Sequence, residues 1–339
     1  METRKVQLSG GTTYMISLPK SWAQEHGIDA GSVLSLFPNG DGSLLIDAEV
    51  GRSSEERSTT VDVSTDSESS IRQWIYAVHA VGFDTVTLVD RAGHSPEQRA
   101  VVEDTVTNLS GFELLEATDT RIQLTNLIDA ENVDVRKSAL RLRLVILGMH
   151  RDAVSAVLDD DDALAQRVIG RDDEADKLFA MVMRHFRRAL TNLQEVEKLA
   201  YNRDELFEYY YLSRQFERIA DHAEKMARFT FDPDATVPGE FTERIEELAE
   251  RSRRVVNAAA DAILADAGID GATTAFTDRD ALMTDIRSLD RELYAHDDTA
   301  EAHVVGLLLD SICRTAENGT NVAGFAIQRV ARQSGSPIE

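Results

Sequence analysis

At 339 residues, 42% hydrophobic and 28% charged, the chain has room for two or three domains and a sizeable core. Its net charge of −24 suits a salt-loaded, haloarchaeal-type cytoplasm and argues against generic nucleic-acid or anionic-membrane binding by the body of the protein. The longest apolar run, Val304 to Leu309, is too short for a bilayer span of about 20 residues, and the single cysteine, Cys313, excludes an internal disulfide.

Met1–Lys5 lacks the apolar core of a signal peptide, so a cytoplasmic location is expected. Lys5 to Leu18 reads as two short β segments around Gly10-Gly11. A short helix follows, with Pro19 near its start and Gly27 at its end. Ser32–Phe37 and Ser43–Asp47 then flank Pro38-Asn-Gly-Asp-Gly42, a hairpin turn. The order strand, Leu-Pro-Lys, helix, Gly-Ile-Asp-Ala-Gly-Ser, hairpin resembles the SpoVT/AbrB swapped-hairpin domain. That resemblance implies a homodimer of interdigitated chains over residues 1–50, binding DNA through basic residues near the first hairpin. Here those are Arg4, Lys5 and Lys20, three bases against six acids in the unit, so phosphate contacts are few. Gly-Gly-Thr-Thr stands where other members usually carry arginines, and the domain can alternatively serve only to dimerise.

Residues 51–69, rich in Ser, Thr, Glu and Asp, read as a linker, with Thr60–Val63 as a possible strand. Residues 70–130 form a small α/β domain. Its expected elements are a helix at Ile71–Val81, a strand at Thr85–Val89, a helix from Ser95-Pro96 to Leu109, and strands at Phe112–Ala117 and Ile122–Leu127. No phosphate-binding glycine loop follows its strands. The unit is a spacer or a second dimer contact.

From Asn132 the pattern is helical, with helices expected near 132–157, 160–197, 203–231, 240–266, 277–297 and 299–332. Pro233 and Pro238 divide them three and three. Along the third, Leu212, Phe216, Ile219, Ala223 and Met226 make one apolar stripe, and Glu217 and Asp221 lie opposite it. Like charges one turn apart repel unless they share a cation.

Phe216-Glu-Arg-Ile-Ala-Asp-His-Ala223 resembles the signature of the PhoU family, helical-bundle regulators of phosphate uptake. The resemblance implies a tandem three-helix bundle, repeats 131–237 and 238–333, and a surface carboxylate site for a divalent metal or iron. The family's second acidic motif matches Asp172 and Asp176, so the implied ligands are Asp172, Asp176, Glu217 and Asp221. With 60 acids in 339 positions, chance alone gives about eleven such pairs, so context rather than spacing carries the assignment. Leu178, Met181, Val182, Phe186 and Ala189 form the buried stripe of the second helix, which turns Asp172 and Asp176, like Glu217 and Asp221, outward. In the second repeat Ile286, Asp290, Cys313 and Glu317 occupy the matching places, leaving one metal site or a much weaker second one. Cys313 reads as a packing residue, and His222 points about 100° away from Asp221.

The expected fold is thus α+β multidomain: a small β swapped-hairpin domain, a small α/β middle domain and an all-α PhoU-like tandem bundle. The expected function is regulation of phosphate uptake, with DNA at phosphate-transport promoters and a phosphate ABC transporter or signalling proteins as partners. A second possibility is restraint of that transporter by protein contact, without DNA. No nucleophile constellation or histidine metal box suggests an enzyme.

Overall fold

The computed structural model describes residues 3–38, 42–47, 56–232, 236–265 and 267–334. Pro233, most of the Pro38–Gly42 turn and the opening of the 51–69 stretch lie outside the described residues. The chain divides into two compact units, Met1–Glu55 and Glu56–Glu339.

In the first unit, β1 (Gln7–Ser9) and β2 (Thr13–Met15) pair antiparallel. The turn between them needs left-handed backbone at Gly10 and Gly11, with φ of 62° and 80°. Helix α1 (Lys20–Glu25) starts after Pro19, and β3 (Ser35–Pro38) pairs antiparallel with β4 (Leu44–Asp47). None of the described residues of this unit is buried, and Leu8, Tyr14 and Val33 are 60%, 75% and 70% exposed.

The second unit begins with a four-stranded sheet, order β5-β6-β8-β7. Strand β5 (Ser58–Asp62), inside the 51–69 stretch, runs parallel to β6 (Thr85–Val89). Strand β8 (Arg121–Asn126) is antiparallel to both β6 and β7 (Phe112–Ala117). The crossovers are α2 (Glu68–Val81) and α3 (Pro96–Thr107). Helix α2 is capped by Ser67, and α3 by a Ser95/Gln98 capping box with Pro96 at its first position. Ile71, Ile75, Val86, Leu88, Val102, Phe112, Ile122 and Leu124 form this layer's core.

The helices are α4 (Val135–Asp159), α5 (Asp162–Thr191), α6 (Leu193–Leu199), α7 (Arg203–Arg228), α8 (Gly239–Leu264), α9 (Gly268–Leu293) and α10 (Thr299–Ser334). Helices α4, α5 and α7 pack as one bundle and α8, α9 and α10 as another. Packing of α4 on α8 and of α7 on α10 merges the two around a common core.

Two boundaries differ from the sequence reading. The helix expected over 160–197 breaks at Asn192, which is extended (φ −128°, ψ 117°) and whose side chain caps α6 by accepting from Gln194 and Glu195. Helix α9 starts at Gly268 rather than near 277. Its first turns are rich in Gly and Thr, weak helix formers. Burial of Ala272 and Ala275 holds them helical, and Thr273, Thr274 and Thr277 donate to carbonyls four residues back.

The α/β layer is docked on α5. Ala180 of α5 joins the sheet's core. Arg184, 2% exposed, donates to the carbonyls of His79 and Phe83 at 2.9 Å and to Asp84 at 3.0 Å. Arg188 donates to the Gly82 carbonyl, to Asp84 at 2.7 Å and to Glu195 at 2.9 Å, and Glu195 also pairs with His185 at 2.6 Å. A buried arginine is stable only when its donors are satisfied in this way.

Candidate functional site

Asp172 and Asp176 stand one turn apart on α5, and Glu217 and Asp221 one turn apart on the adjacent α7. The expectation that both pairs face outward holds for Asp221 and is corrected for the other three. Asp172, Asp176 and Glu217 are half-buried, Glu217 keeping 14% side-chain exposure, while Asp221 is exposed. Helix α5 packs on both α4 and α7 and carries the α/β layer, so an apolar stripe on one side does not leave the other side in water.

The four carboxylates and Glu224 share one electrostatic neighbourhood. Burial, then Asp176, Glu224 and Asp221, pushes Asp172 up to about 7. Burial, then Asp221, Asp173 and Glu224, pushes Asp176 up to about 6. Glu217 is pushed up to about 7, first by burial and then by Asp221, against the pull of Arg214. Asp221, though exposed as a residue, is raised as well, first by partial desolvation of its carboxyl and, among its charged neighbours, by Glu224 against Arg214. Desolvation disfavours each anion, and the neighbouring anions add to it.

Compensation is incomplete. Arg214 donates to Glu217 Oε1 at 2.8 Å and lies over the Phe179 ring. Asp172 Oδ1 and Glu217 Oε2 are buried with no hydrogen-bond partner. Such orphaned acceptors cost about 1–3 kcal/mol each unless protonated or offset by a cation. Among the described residues, no three His, Cys, Asp or Glu side chains converge closely enough to hold one ion. The four carboxylates lie on adjacent helices without closing into a ligand cage.

At the matching places of the second repeat, Ile286 is 7% exposed and Asp290 faces solvent. The Cys313 thiol donates to Met283 Sδ at 3.4 Å, and burial pushes it up to about 11. Glu317 is paired with Arg314 at 2.9 Å. His222 lies in the electrostatic neighbourhood of Lys225 and of Asp310, Arg314 and Glu317 on α10, and burial lowers it. Arg218 is exposed.

Two members of the site were not identified from sequence. Glu224 follows Asp221 by three residues, and helical spacing was the available signal. Tyr76 of α2 was out of reach. Burial, then the charge of Asp176, raises its hydroxyl, which places the α/β layer at the edge of the cluster. In the first unit Arg4, Lys5 and Lys20 are all exposed, the first two just ahead of β1 and Lys20 opening α1.

These features define an α+β chain whose doubled three-helix body holds an acidic cluster in one repeat. Residues 139–230 match the PhoU domain, and residues 7–53 match the antidote-toxin recognition MazE domain of bacterial antitoxins. The chain therefore carries a PhoU domain behind a MazE/AbrB-like antitoxin-type domain. Among solved structures, the crystal structure of PhoU from Pseudomonas aeruginosa aligns at 19% identity with a TM-score of 0.46, covering 60% of this chain and 98% of that one. No curated protein matches. Among the described residues, no helix is long and apolar enough to cross a membrane.

Proposed function

We propose that the protein is a regulator of phosphate homeostasis, a DNA-binding repressor of phosphate-uptake genes whose PhoU domain responds to a divalent cation. The observation that carries this reading is the match of residues 139–230 to the PhoU domain behind a MazE-like unit, and the orphaned oxygens Asp172 Oδ1 and Glu217 Oε2 on neighbouring helices support its cation arm. Carboxylate oxygens of this kind suit Mg²⁺, Mn²⁺, Ca²⁺ or iron, but no three of them converge among the described residues, so a cation would have to draw Asp172, Asp176, Glu217 and Asp221 together. When bound, the cation supplies positive charge that offsets carboxylates now raised by burial and mutual repulsion.

The first unit supports the output side of the reading. With no described residue buried, it lacks an interior of its own, which a second chain would supply in a homodimer. Arg4, Lys5 and Lys20 are exposed and doubled by pairing, enough for a modest set of phosphate contacts. Contacts between the helical body and a phosphate transporter or its signalling proteins would report transport status. The protein acts as a regulator, not an enzyme.

The test is a mobility shift on the promoter of phosphate-transport genes in molar KCl. The expected result is a shift that Lys20→Glu removes while the dimer persists. An intact dimer that gives no shift would overturn the DNA arm and favour restraint of the transporter by protein contact.

A further inference from the structure

The cation reading leaves the α/β layer without a task, yet the layer carries a cleft of its own. A cavity of about 650 Å³ opens beyond the carboxyl ends of the parallel strands β5 and β6, between the first turns of α2 and α3. Parallel α/β layers take their ligands at this end, where the loops after the strands and the helix starts meet. The volume suits an organic molecule, and among the described residues no three His, Cys, Asp or Glu side chains are placed to hold a metal ion. Asp66, Glu68 and Asp90 stand on its wall with the capping serines Ser67 and Ser95, and no described Lys, Arg or His lines it. Asp90 is the distinguishing group. It is 4% exposed, and its Oδ1 accepts from the Ala92 amide at 2.9 Å. Its Oδ2 has no hydrogen-bond or cationic partner among the described residues and is not sealed in protein, so it opens on the cleft that Asp90 lines. Asp84, at the other end of the same strand, is met by Arg184 at 3.0 Å and by Arg188 at 2.7 Å. A carboxylate withdrawn from water is stable when its charge is met in that way.

We propose that this cleft binds a small organic amine, whose ammonium group donates to Asp90 Oδ2 while Asp66 and Glu68 draw it in. The sign of the charge selects the ligand class. Each helix start contributes about +0.5, so two of them leave the three carboxylates at roughly −2, and a phosphate or nucleotide is repelled. An ammonium brings three donors, which carboxylate and serine oxygens accept. Two sources share this chemistry, a polyamine and a basic amino acid, the second placing its own carboxylate against the helix starts. The site is independent of the carboxylates on α5 and α7. It also lies at the first turn of α2, whose far end is bonded to the helical body through Arg184 on the His79 carbonyl and Arg188 on the Gly82 carbonyl. An occupant therefore touches the element by which the layer is held.

Calorimetry on the full chain in molar KCl tests it, because that salt shortens the reach of diffuse attraction to a net charge of −24 to about 3 Å. Expected is saturable binding of one spermidine or one L-lysine per chain, and whichever binds identifies the source. Asp90→Asn keeps the bond from Ala92 and should weaken binding about tenfold, the loss of one charge-assisted hydrogen bond. Ser69→Arg, on the exposed lip of the cleft, should abolish it by putting a guanidinium where the amine would sit. Asp290→Asn, an exposed acid of the second repeat, should leave it unchanged. Failure of both amines to bind overturns the inference. So does binding that survives Asp90→Asn and Ser69→Arg, or that falls equally in Asp290→Asn, since the attraction is then spread over the acidic surface.

Discussion

The two helical repeats solve one packing problem in two ways. In the first, Asp172, Asp176 and Glu217 sit half-buried and are raised to about 6–7 by burial and by one another. In the second, aligned positions hold buried Ile286 and a thiol resting on Met283. Asp290 and Glu317 remain at the other two places, but the scaffold closes with Ile286 and Cys313 where Asp172 and Glu217 stand, so packing does not require those two acids.

The sharpest way to break this comparison is to make the repeats alike. Ile286→Asp should cost about 3 kcal/mol in urea unfolding, because a lone carboxyl there has no partner cluster. If the substitution is tolerated, the second repeat was never committed to an apolar seam.

The next effect follows from the sign of the shifts. Asp172, Asp176 and Glu217 bind protons more tightly folded than unfolded, so the protein gains stability from them below the unfolded-state range. That gain is lost as pH rises from about 4 through 7. Metal-free melting temperature should therefore fall over that window, and Asp172→Asn with Glu217→Gln should flatten the fall. Mn²⁺ should raise the melting temperature more at pH 8 than at pH 5, since protons compete for the same oxygens. A metal-free profile that rises across the window would contradict the burial assigned to these groups.

Smallest is Cys313→Ala, which should cost about 1 kcal/mol through lost contact with Met283 and leave Mn²⁺ binding unaltered. Weakened Mn²⁺ binding in that variant would bring the two repeats closer than their side chains suggest.

Much of this was legible in the chain. The apolar stripe Leu212, Phe216, Ile219, Ala223 and Met226 is fully buried as its period requires. The helices and strands of the α/β layer follow their caps and alternation. The break at Asn192 was missed because Arg187 to Lys198 keeps helical composition, and a single capping amide outweighs it locally. The half-burial of the acids was missed for another reason. A helical wheel shows one apolar face, whereas α5 has neighbours on more than one side, the α/β layer among them. Tyr76 reaches the cluster only through that docking, which leaves no periodic trace.

The hairpin unit at the front of the chain has no described side chain shielded from water. If its interior forms only when two copies meet, its population at low abundance rises with the square of chain concentration, while the helical body folds in simple proportion. Any output that needs the hairpin pair would then respond more steeply to the cell's stock of this protein than any output that needs the bundle alone.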